Sequence, residues 1–192
     1  MFDIIAAYVD RSSPITFFVL GLLSFYFILI FWTFFYRYLT LGRWIAKETA
    51  SMEQMHMGAS RVTQQSILHP CLGEGRINAR RLDICEFAAI RESTKGLTLL
   101  SLVASTSPFI GLFGTVVSIL EAFAGLGEQK NTTLSVVAPA ISEALVATAA
   151  GIFVAVFAYS FHLILKRRAY ELSTILAMEK EMMLGAKRGE GE

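Results

Sequence analysis

Residues 138–165 read APAISEALVATAAGIFVAVFAYSFHLIL, a nearly unbroken apolar run that contains one acidic side chain, Glu143. A helix needs about 20 apolar residues to cross the hydrocarbon core of a bilayer, and this run exceeds that length. Two further runs pass the same test, at residues 15–36 and at residues 97–124. The sequence therefore predicts an all-α membrane protein with three transmembrane helices.

The composition supports this class. The chain has 192 residues, of which 54% are hydrophobic, and a mean hydropathy of +0.54. Its basic residues flank the apolar runs and do not form one face, which argues against nucleic-acid binding. The N-terminus lacks the basic n-region and the small-residue cleavage site of a signal peptide, and the first apolar run is too long for one. No phosphate-binding loop, zinc-protease or serine-hydrolase motif occurs, so we expect no enzymatic activity, cofactor or metal.

The distribution of Lys and Arg predicts the orientation in the membrane. Nine of these residues lie between residues 37 and 95 and six lie from residue 166 onward, against only Arg11 and Lys130 elsewhere. Segments rich in Lys and Arg stay in the cytoplasm. The predicted segments are a periplasmic tail at 1–14, transmembrane helices at 15–36, 97–124 and 138–165, a cytoplasmic segment at 37–96, a periplasmic loop at 125–137 and a cytoplasmic tail at 166–192.

The cytoplasmic parts are predicted to form long helical extensions of the membrane helices. Residues 41–68 look helical and can continue the first helix, and the Pro and Gly residues of HPCLGEG, residues 69–75, then break it. Residues 76–95 also look helical and can run directly into the second transmembrane helix. The tail from residue 166 is predicted to extend the third.

Two cysteines, Cys71 and Cys85, lie in the predicted cytoplasmic segment. They could form a disulfide or bind a metal together with His69, but they lack CxxC spacing. Because thiols in the cytoplasm are kept reduced, we expect two free thiols.

Hydroxyl side chains occur at membrane depth in the second and third helices. The usual arrangement for Ser or Thr in such a helix is a hydrogen bond to the carbonyl one turn back. Thr115 and Thr148 stand out by depth, because each lies about ten residues, or roughly 15 Å, from the outer loop. Two antiparallel helices are expected to bring them level near the middle of the bilayer.

Two acids lie closer to the outer surface. Glu121 and Glu143 are each about one turn from the outer loop, roughly 6 to 8 Å deep. An intramembrane charge costs at least ~2.5 kcal/mol, which makes each acid a candidate functional group. The alternative for Glu121 is that its carboxylate reaches the nearby interface. Glu143 is set among small residues, and together with Thr115 and Thr148 it suggests one wall of a polar path that exchanges protons with the outer side.

Small residues predict close packing of the second and third helices. Gly111 and Gly114 lie on the second helix, and Ala144 and Gly151 lie on the third. Such residues let helix backbones approach each other within a membrane. Three helices enclose no pore, however, and no acid follows Thr148 in the third run. Either several copies surround the path, or another protein supplies the missing carboxylate.

The motifs of both helices resemble a known family. ASTSPFIGLFGTVVSILEAF, residues 104–123, followed by VVAPAISEALVATAAGIFVAVFAYSF, residues 136–161, is similar to the core of the MotA/TolQ/ExbB family of proton-channel proteins. The layout is closest to the three-helix branch, TolQ and ExbB. The rest of the chain agrees with the family only in its layout.

The resemblance implies a homopentamer in the bacterial inner membrane that surrounds the single transmembrane helices of a dimeric ExbD/TolR-type partner. It implies that protons pass an aspartate of that partner and drive rotation or force transmission to the outer membrane through TonB or TolA. By motif, it assigns Thr115 of GLFGT, and Glu143 and Thr148 of SEALVAT, to the pore lining.

Two features depart from the family. Glu121 stands where better-known relatives have a neutral or imidazole side chain, so its role is not inherited, and the cytoplasmic segment is shorter than usual. The sequence leaves open whether the system is Tol-Pal or TonB and whether the ion is H⁺ or Na⁺. The rival interpretation is a passive membrane scaffold in which small residues and hydroxyls serve helix packing alone. A substrate transporter is disfavoured, because no inverted repeat or broken half-helix pair is found.

Overall fold

A computed structural model describes residues 14–57, 66–71, 79–128 and 134–189. They form four α-helices: α1, Pro14–His56; α2, Ala79–Ser93; α3, Leu97–Glu128; and α4, Leu134–Gly189. A 3-10 turn, His69–Cys71, lies between α1 and α2. Three helical stretches are long and apolar enough to cross a membrane. The prediction of an all-α protein with three such helices is confirmed.

Two helices are much longer than a bilayer requires. α1 has 43 residues and α4 has 56, so each continues past its apolar stretch into a polar one. Pro14 is the first residue of α1, a position where the missing N–H costs nothing. The predicted helical extensions of the first and third runs are confirmed for residues 41–56 and 166–189. Residues 66–68, which were also predicted to be helical, form a turn instead.

The expected direct passage from the cytoplasmic helix into the second membrane helix is wrong. α2 ends at Ser93, and Gly96 then adopts a φ of +87°, a conformation that L side chains rarely reach. The guanidinium of Arg37 donates hydrogen bonds to the carbonyls of Glu92 and Ser93 at the end of α2, where the last carbonyls of a helix lack their usual partners. The carbonyl of Glu92 also accepts from the N–H of Lys95. A new helix, α3, begins at Leu97.

The chain divides into two compact units. The first comprises Met1–Trp32 and Leu99–Phe161 and is called the apolar unit. Its described part contains sections of α1, α3 and α4. Its interior holds small and aliphatic side chains. Five aromatic rings form a partly exposed cluster, in which ring pairs have centroids 4.6 to 6.0 Å apart. The rings are those of Phe27, Phe31, Phe153, Phe157 and Phe161.

The second unit comprises Thr33–Thr98 and His162–Glu192 and is called the polar unit. Its core is built from leucines of α1, α2 and α4 and of the segment before the 3-10 turn, including Leu41, Leu68, Leu82 and Leu172, none of which is exposed. The guanidinium of Arg168 lies 4.4 Å from the ring centroid of Tyr38. These contacts bury the helical extensions against each other within the unit.

The expectation of two reduced thiols is wrong, because Cys71 and Cys85 form a disulfide. Their Cα atoms are 6.5 Å apart, a separation that a disulfide can bridge. The pairing connects the 3-10 turn to α2 and leaves no thiolate for a metal site with His69. Among the described residues no cluster of His, Cys, Asp and Glu is arranged to hold a metal ion.

Several predicted segments lie partly or wholly outside the described residues. They include residues 1–13 of the predicted periplasmic tail and residues 129–133 of the predicted periplasmic loop. α3 continues to Glu128 and α4 begins at Leu134, so both helices extend into the predicted loop at 125–137.

Candidate functional site

The backbones of α3 and α4 approach each other most closely at two glycines. A Cβ atom placed on Gly111 would lie 2.7 Å from the carbonyl oxygen of Ala147 and 3.2 Å from the Cα of Gly151. A Cβ atom on Gly151 would lie 2.6 Å from the carbonyl oxygen of Ser107. Real Cβ atoms do not approach other atoms so closely, so glycine is required at both positions for this packing.

A third helix joins this contact at Gly114. A Cβ atom on Gly114 would lie 3.0 Å from a methyl group of Val19 on α1 and 3.3 Å from the Cβ of Ala147 on α4. Ala144 is one turn from Ala147 and is also buried. We call this contact between the two helices the α3–α4 seam and define it by Gly111, Gly114, Ala144, Ala147 and Gly151.

Thr148 lies directly at the seam. Its hydroxyl donates a hydrogen bond of 3.3 Å to the carbonyl of Gly111 on the neighbouring helix. The hydroxyl of Thr115, which is buried, donates instead to the carbonyl of Leu112 on its own helix, at 2.6 Å. Thr115 therefore has the local arrangement that is usual for a helical hydroxyl, whereas Thr148 connects two helices.

The two threonines are not directly opposite each other. The Cα of Thr148 is 3.1 Å from the position of a Cβ on Gly111, which places Thr148 level with Gly111. Thr115 lies four residues further along α3, a displacement of roughly 6 Å along the helix axis. Counting residues from the outer loop places them level; the packing of the glycines offsets them by about one turn.

The two acids have different surroundings. Glu143 is half-buried on α4, one residue before Ala144 of the seam, whereas Glu121 is exposed on α3. The described residues of the apolar unit include no Lys, Arg or His. A carboxyl group at such a position in a membrane helix is a candidate functional group.

Sequence reasoning missed one polar contact. Thr16 on α1 and Ser118 on α3 are both buried, and their hydroxyl oxygens are 3.1 Å apart. Ser118 also donates to the carbonyl of Gly114, so this chain of hydroxyls leads to the seam. Thr16 lies in the first turn of α1, where neither depth nor spacing distinguishes it, and only its packing against α3 reveals the contact.

Ser107 is a second unpredicted feature. Its side chain is completely buried beside Pro108, and its hydroxyl has no hydrogen-bond partner among the described residues. Its carbonyl oxygen is the atom that a Cβ on Gly151 would strike. The sequence shows Ser107 as one of several hydroxyls in the second run, without indicating that it belongs to the closest helix contact.

The arrangement provides one polar wall and no enclosed pore. Within the described residues, the seam joins a hydroxyl of α4 to a carbonyl of α3, with an acid on each helix nearer the predicted outer side. Large apolar side chains cover the outside of the apolar unit, including Phe18, Trp32 and Phe109, each at least 70% exposed. Such a surface fits lipid or further protein chains.

Comparison with known proteins agrees with the motifs of both helices. The model of the MotA/TolQ/ExbB proton channel family matches residues 78–178, which include α2, α3 and the seam. The chain is 39% identical to the ExbB-like 1 biopolymer transport protein of Helicobacter pylori over 189 residues, covering 97% of this chain and all of that protein.

Relatives of two kinds match a shorter part of the chain. The biopolymer transport protein ExbB of Pseudomonas putida is 35% identical over 129 residues, covering 57% of this chain and 38% of that protein. The Tol-Pal system protein TolQ of Pseudomonas aeruginosa is 44% identical over 98 residues, covering 50% of this chain and 42% of that protein.

Proposed function

The chain belongs to the MotA/TolQ/ExbB proton channel family, and from this premise we propose that it is the proton-channel stator subunit of a TolQ/ExbB-type inner-membrane motor. Such a subunit couples the proton-motive force to rotation or to force transmission towards the outer membrane. The observation that carries the proposal is the α3–α4 seam, which lies within the region that the family model matches and puts a hydroxyl between two closely packed helices.

The proposed path requires more than one chain. One protomer offers one wall, which is formed by α3 and α4. In the proposal, five copies surround the path and a dimeric ExbD/TolR-type protein contributes a transmembrane aspartate. Energy then passes to a TonB- or TolA-type protein. The exposed apolar surface supports contact with lipid and with other chains.

Each predicted residue has a role in this proposal. Glu143 receives protons on the periplasmic side, and Thr115 and Thr148 line the path beside the partner's aspartate. The N-terminus lies in the periplasm and the C-terminus in the cytoplasm, in agreement with the distribution of Lys and Arg. Gly111, Gly114, Ala144 and Gly151 hold the two lining helices together.

One observation favours the alternative, a passive membrane scaffold. The hydroxyls of Thr115 and Thr148 both donate to backbone carbonyls, as hydroxyls do when they serve only packing. A scaffold would need Glu143 only as a hydrogen-bonding group. Glu143→Gln separates the two functions, since an amide forms hydrogen bonds but does not carry a proton.

The experiment is proton flux into vesicles that contain the chain together with its single-span partner. We expect Glu143→Ala, Glu143→Gln, Thr115→Val and Thr148→Val each to abolish flux while assembly persists. Thr106→Val is the matched control, because the hydroxyl of Thr106 donates to the carbonyl of Leu102 on its own helix, away from the seam. Wild-type flux in Glu143→Gln would establish the scaffold and refute the channel.

Glu121 is proposed as an outer proton acceptor with a smaller contribution, since its side chain is exposed. We expect Glu121→Gln to reduce flux less than Glu143→Gln does, and by an amount that changes with pH. A variant that matches the wild type at every pH would remove Glu121 from the path. Replacing Na⁺ by K⁺ at constant pH in the same vesicles distinguishes a proton channel from a sodium channel.

A further inference from the structure

Two carboxyl groups meet in the interior of the polar unit. Glu48 lies on α1 and Glu179 on α4, and neither residue is exposed. The hydroxyl of Ser51, three residues after Glu48 on α1, donates to the Oε1 of Glu179, which brings the carboxyl group of Glu179 to the same part of α1 as Glu48. Two carboxylates so close together in a buried site repel each other, so such a pair favours the state in which one group holds a proton.

The carboxyl group of Glu48 is surrounded by donors. The hydroxyl of Ser66 donates to its Oε2 at 2.9 Å, and the backbone N–H of Ile67 donates to its Oε1 at 2.8 Å. The hydroxyl of Ser66 also accepts from the N–H of Leu68. Both oxygens of the Glu48 carboxyl group therefore accept hydrogen bonds from other groups of the polar unit.

Glu179 has the opposite surroundings. Its Oε1 accepts a hydrogen bond of 2.9 Å from Ser51, but its buried Oε2 receives none from any N–H or O–H group of the described residues. A proton on Oε2 would turn this unsatisfied acceptor into a donor to Glu48. Burial, and then the adjacent Glu48, raise the pKa of Glu179 to about 7.

Among the described residues, the charged side chains closest to the pair along α1 and α4 are bound to other groups or exposed. On α4 the ammonium of Lys180 binds Asp83 at 3.1 Å and Glu86 at 2.6 Å, both on α2. On the same helices as the pair, Lys47 and Glu181 are exposed. His69 of the 3-10 turn is half-buried, and its ring bonds to neither carboxyl. No described basic side chain therefore neutralises the pair.

We propose that Glu48 and Glu179 form a proton-binding site. While one proton is bound, the site holds α1, α4 and residues 66–68 together. When that proton leaves, these segments separate more readily. The inference does not rest on the proposed function, because both residues lie in the polar unit and outside the α3–α4 seam. The ligand is the proton itself, bound from the solution that surrounds the polar unit.

The direction of the pH effect follows from the pKa. Because the folded unit raises the pKa of Glu179 above its ordinary value of 4.5, the folded state binds this proton more tightly than the unfolded state does. The contribution to stability is therefore largest in acid, is lost as the pH rises from about 4.5 to about 7, and stays lost at higher pH. Carboxylates paired with bases behave in the opposite way.

The test uses the full-length protein in lipid nanodiscs. Hydrogen exchange of peptides that contain residues 48, 66–68 and 179, corrected for intrinsic rates, is followed from about pH 5 to about pH 8.5. We expect opening to increase by up to tenfold per pH unit up to about pH 7 and then to level off. Glu179→Gln, whose amide can donate to Glu48 permanently, should remove this dependence. Glu181→Gln, an exposed change on the same helix, should retain it.

Infrared spectra of the wild type provide a second measurement that does not depend on the folding of a variant. We expect the wild type to show the carbonyl band of a protonated carboxylic acid at about pH 5.5, and this band to disappear around pH 7. At about pH 5.5 the band of Glu179→Gln should be weaker than that of the wild type by the intensity that the wild type loses. The same exchange profile in the wild type and Glu179→Gln would overturn the proposal. The proposal would also be overturned if added Ca²⁺ at constant pH protected these peptides from exchange while no band of a protonated acid was seen. The site would then bind a cation and not a proton.

Discussion

Gly111 and Gly151 meet backbone to backbone, since a Cβ atom on Gly151 would lie 3.1 Å from the Cα of Gly111 and 2.6 Å from the carbonyl oxygen of Ser107. At this separation the helices gain close van der Waals contact along their backbones, which is the main attraction between helices in a membrane. The contact also brings Thr148 within hydrogen-bonding distance of Gly111. Packing and the proposed path therefore depend on the same pair of residues.

Gly151→Ala is expected to separate the helices of the seam. The added methyl group overlaps backbone atoms that cannot rotate away, so we expect a loss of about 1 to 3 kcal/mol in the free energy of unfolding. The measurement is unfolding of the purified protein in mild detergent. Gly21→Ala is the matched control, because a Cβ there has no neighbour within 4 Å. Equal stability of the two variants would contradict the close contact.

Thr148→Ser is expected to retain proton flux that Thr148→Val loses. Serine keeps the hydroxyl that donates to Gly111, whereas valine has the shape of threonine without the donor. We expect the valine variant to lose flux, because it removes both the hydrogen bond to Gly111 and a polar group of the proposed path. If Thr148→Val conducts like the serine variant, the hydroxyl is not needed.

Lys180→Met is expected to destabilise the polar unit. Lys180 binds Asp83 and Glu86, and the side chain of Glu86 is only 13% exposed, so the substitution leaves a largely buried carboxylate unpaired. We expect a loss of about 1 to 2 kcal/mol in urea unfolding at low salt.

The pH dependence of the Lys180 contribution has the same direction as that of the buried acids but lies at much higher pH. The pKa of Lys180 is raised above 10.5, first by its hydrogen bond to Glu86, so its contribution persists below that value and is lost only at higher pH. Lys47→Met, which removes an exposed lysine of α1, is the control. Similar losses in both variants would show that the ion pairs contribute nothing specific.

Cys85→Ser is expected to lower the stability of the polar unit by about 2 to 4 kcal/mol, because the disulfide to Cys71 restricts the unfolded chain. Reduction of the wild type should produce the same change, and further reductant should not affect the variant. The mass of the intact chain, measured with thiols blocked at lysis, checks whether the bond is present in cells. A chain with two blocked thiols would contradict it.

The sequence by itself determined the three apolar helices and the small residues between two of them. Hydropathy over about 20 residues is a local property, because the thickness of the bilayer sets the length of every crossing helix. The motif around Gly111 and Thr115 and the motif around Glu143 and Thr148 were visible for the same reason. They are continuous in the chain, and their order and spacing identify the family without any knowledge of contacts.

Only the tertiary structure decided how distant residues combine. The offset of Thr148 from Thr115 follows from which glycines interlock, and counting from a loop does not reveal it. The break at Gly96 depends on an unusual backbone angle, and Arg37 of α1 stabilises it by binding the carbonyl of Ser93 at the end of α2. The pairing of Glu48 with Glu179 brings two ordinary-looking acids together from distant parts of the chain. Burial and mutual contact set the chemistry of such groups, and both arise only when the helices pack.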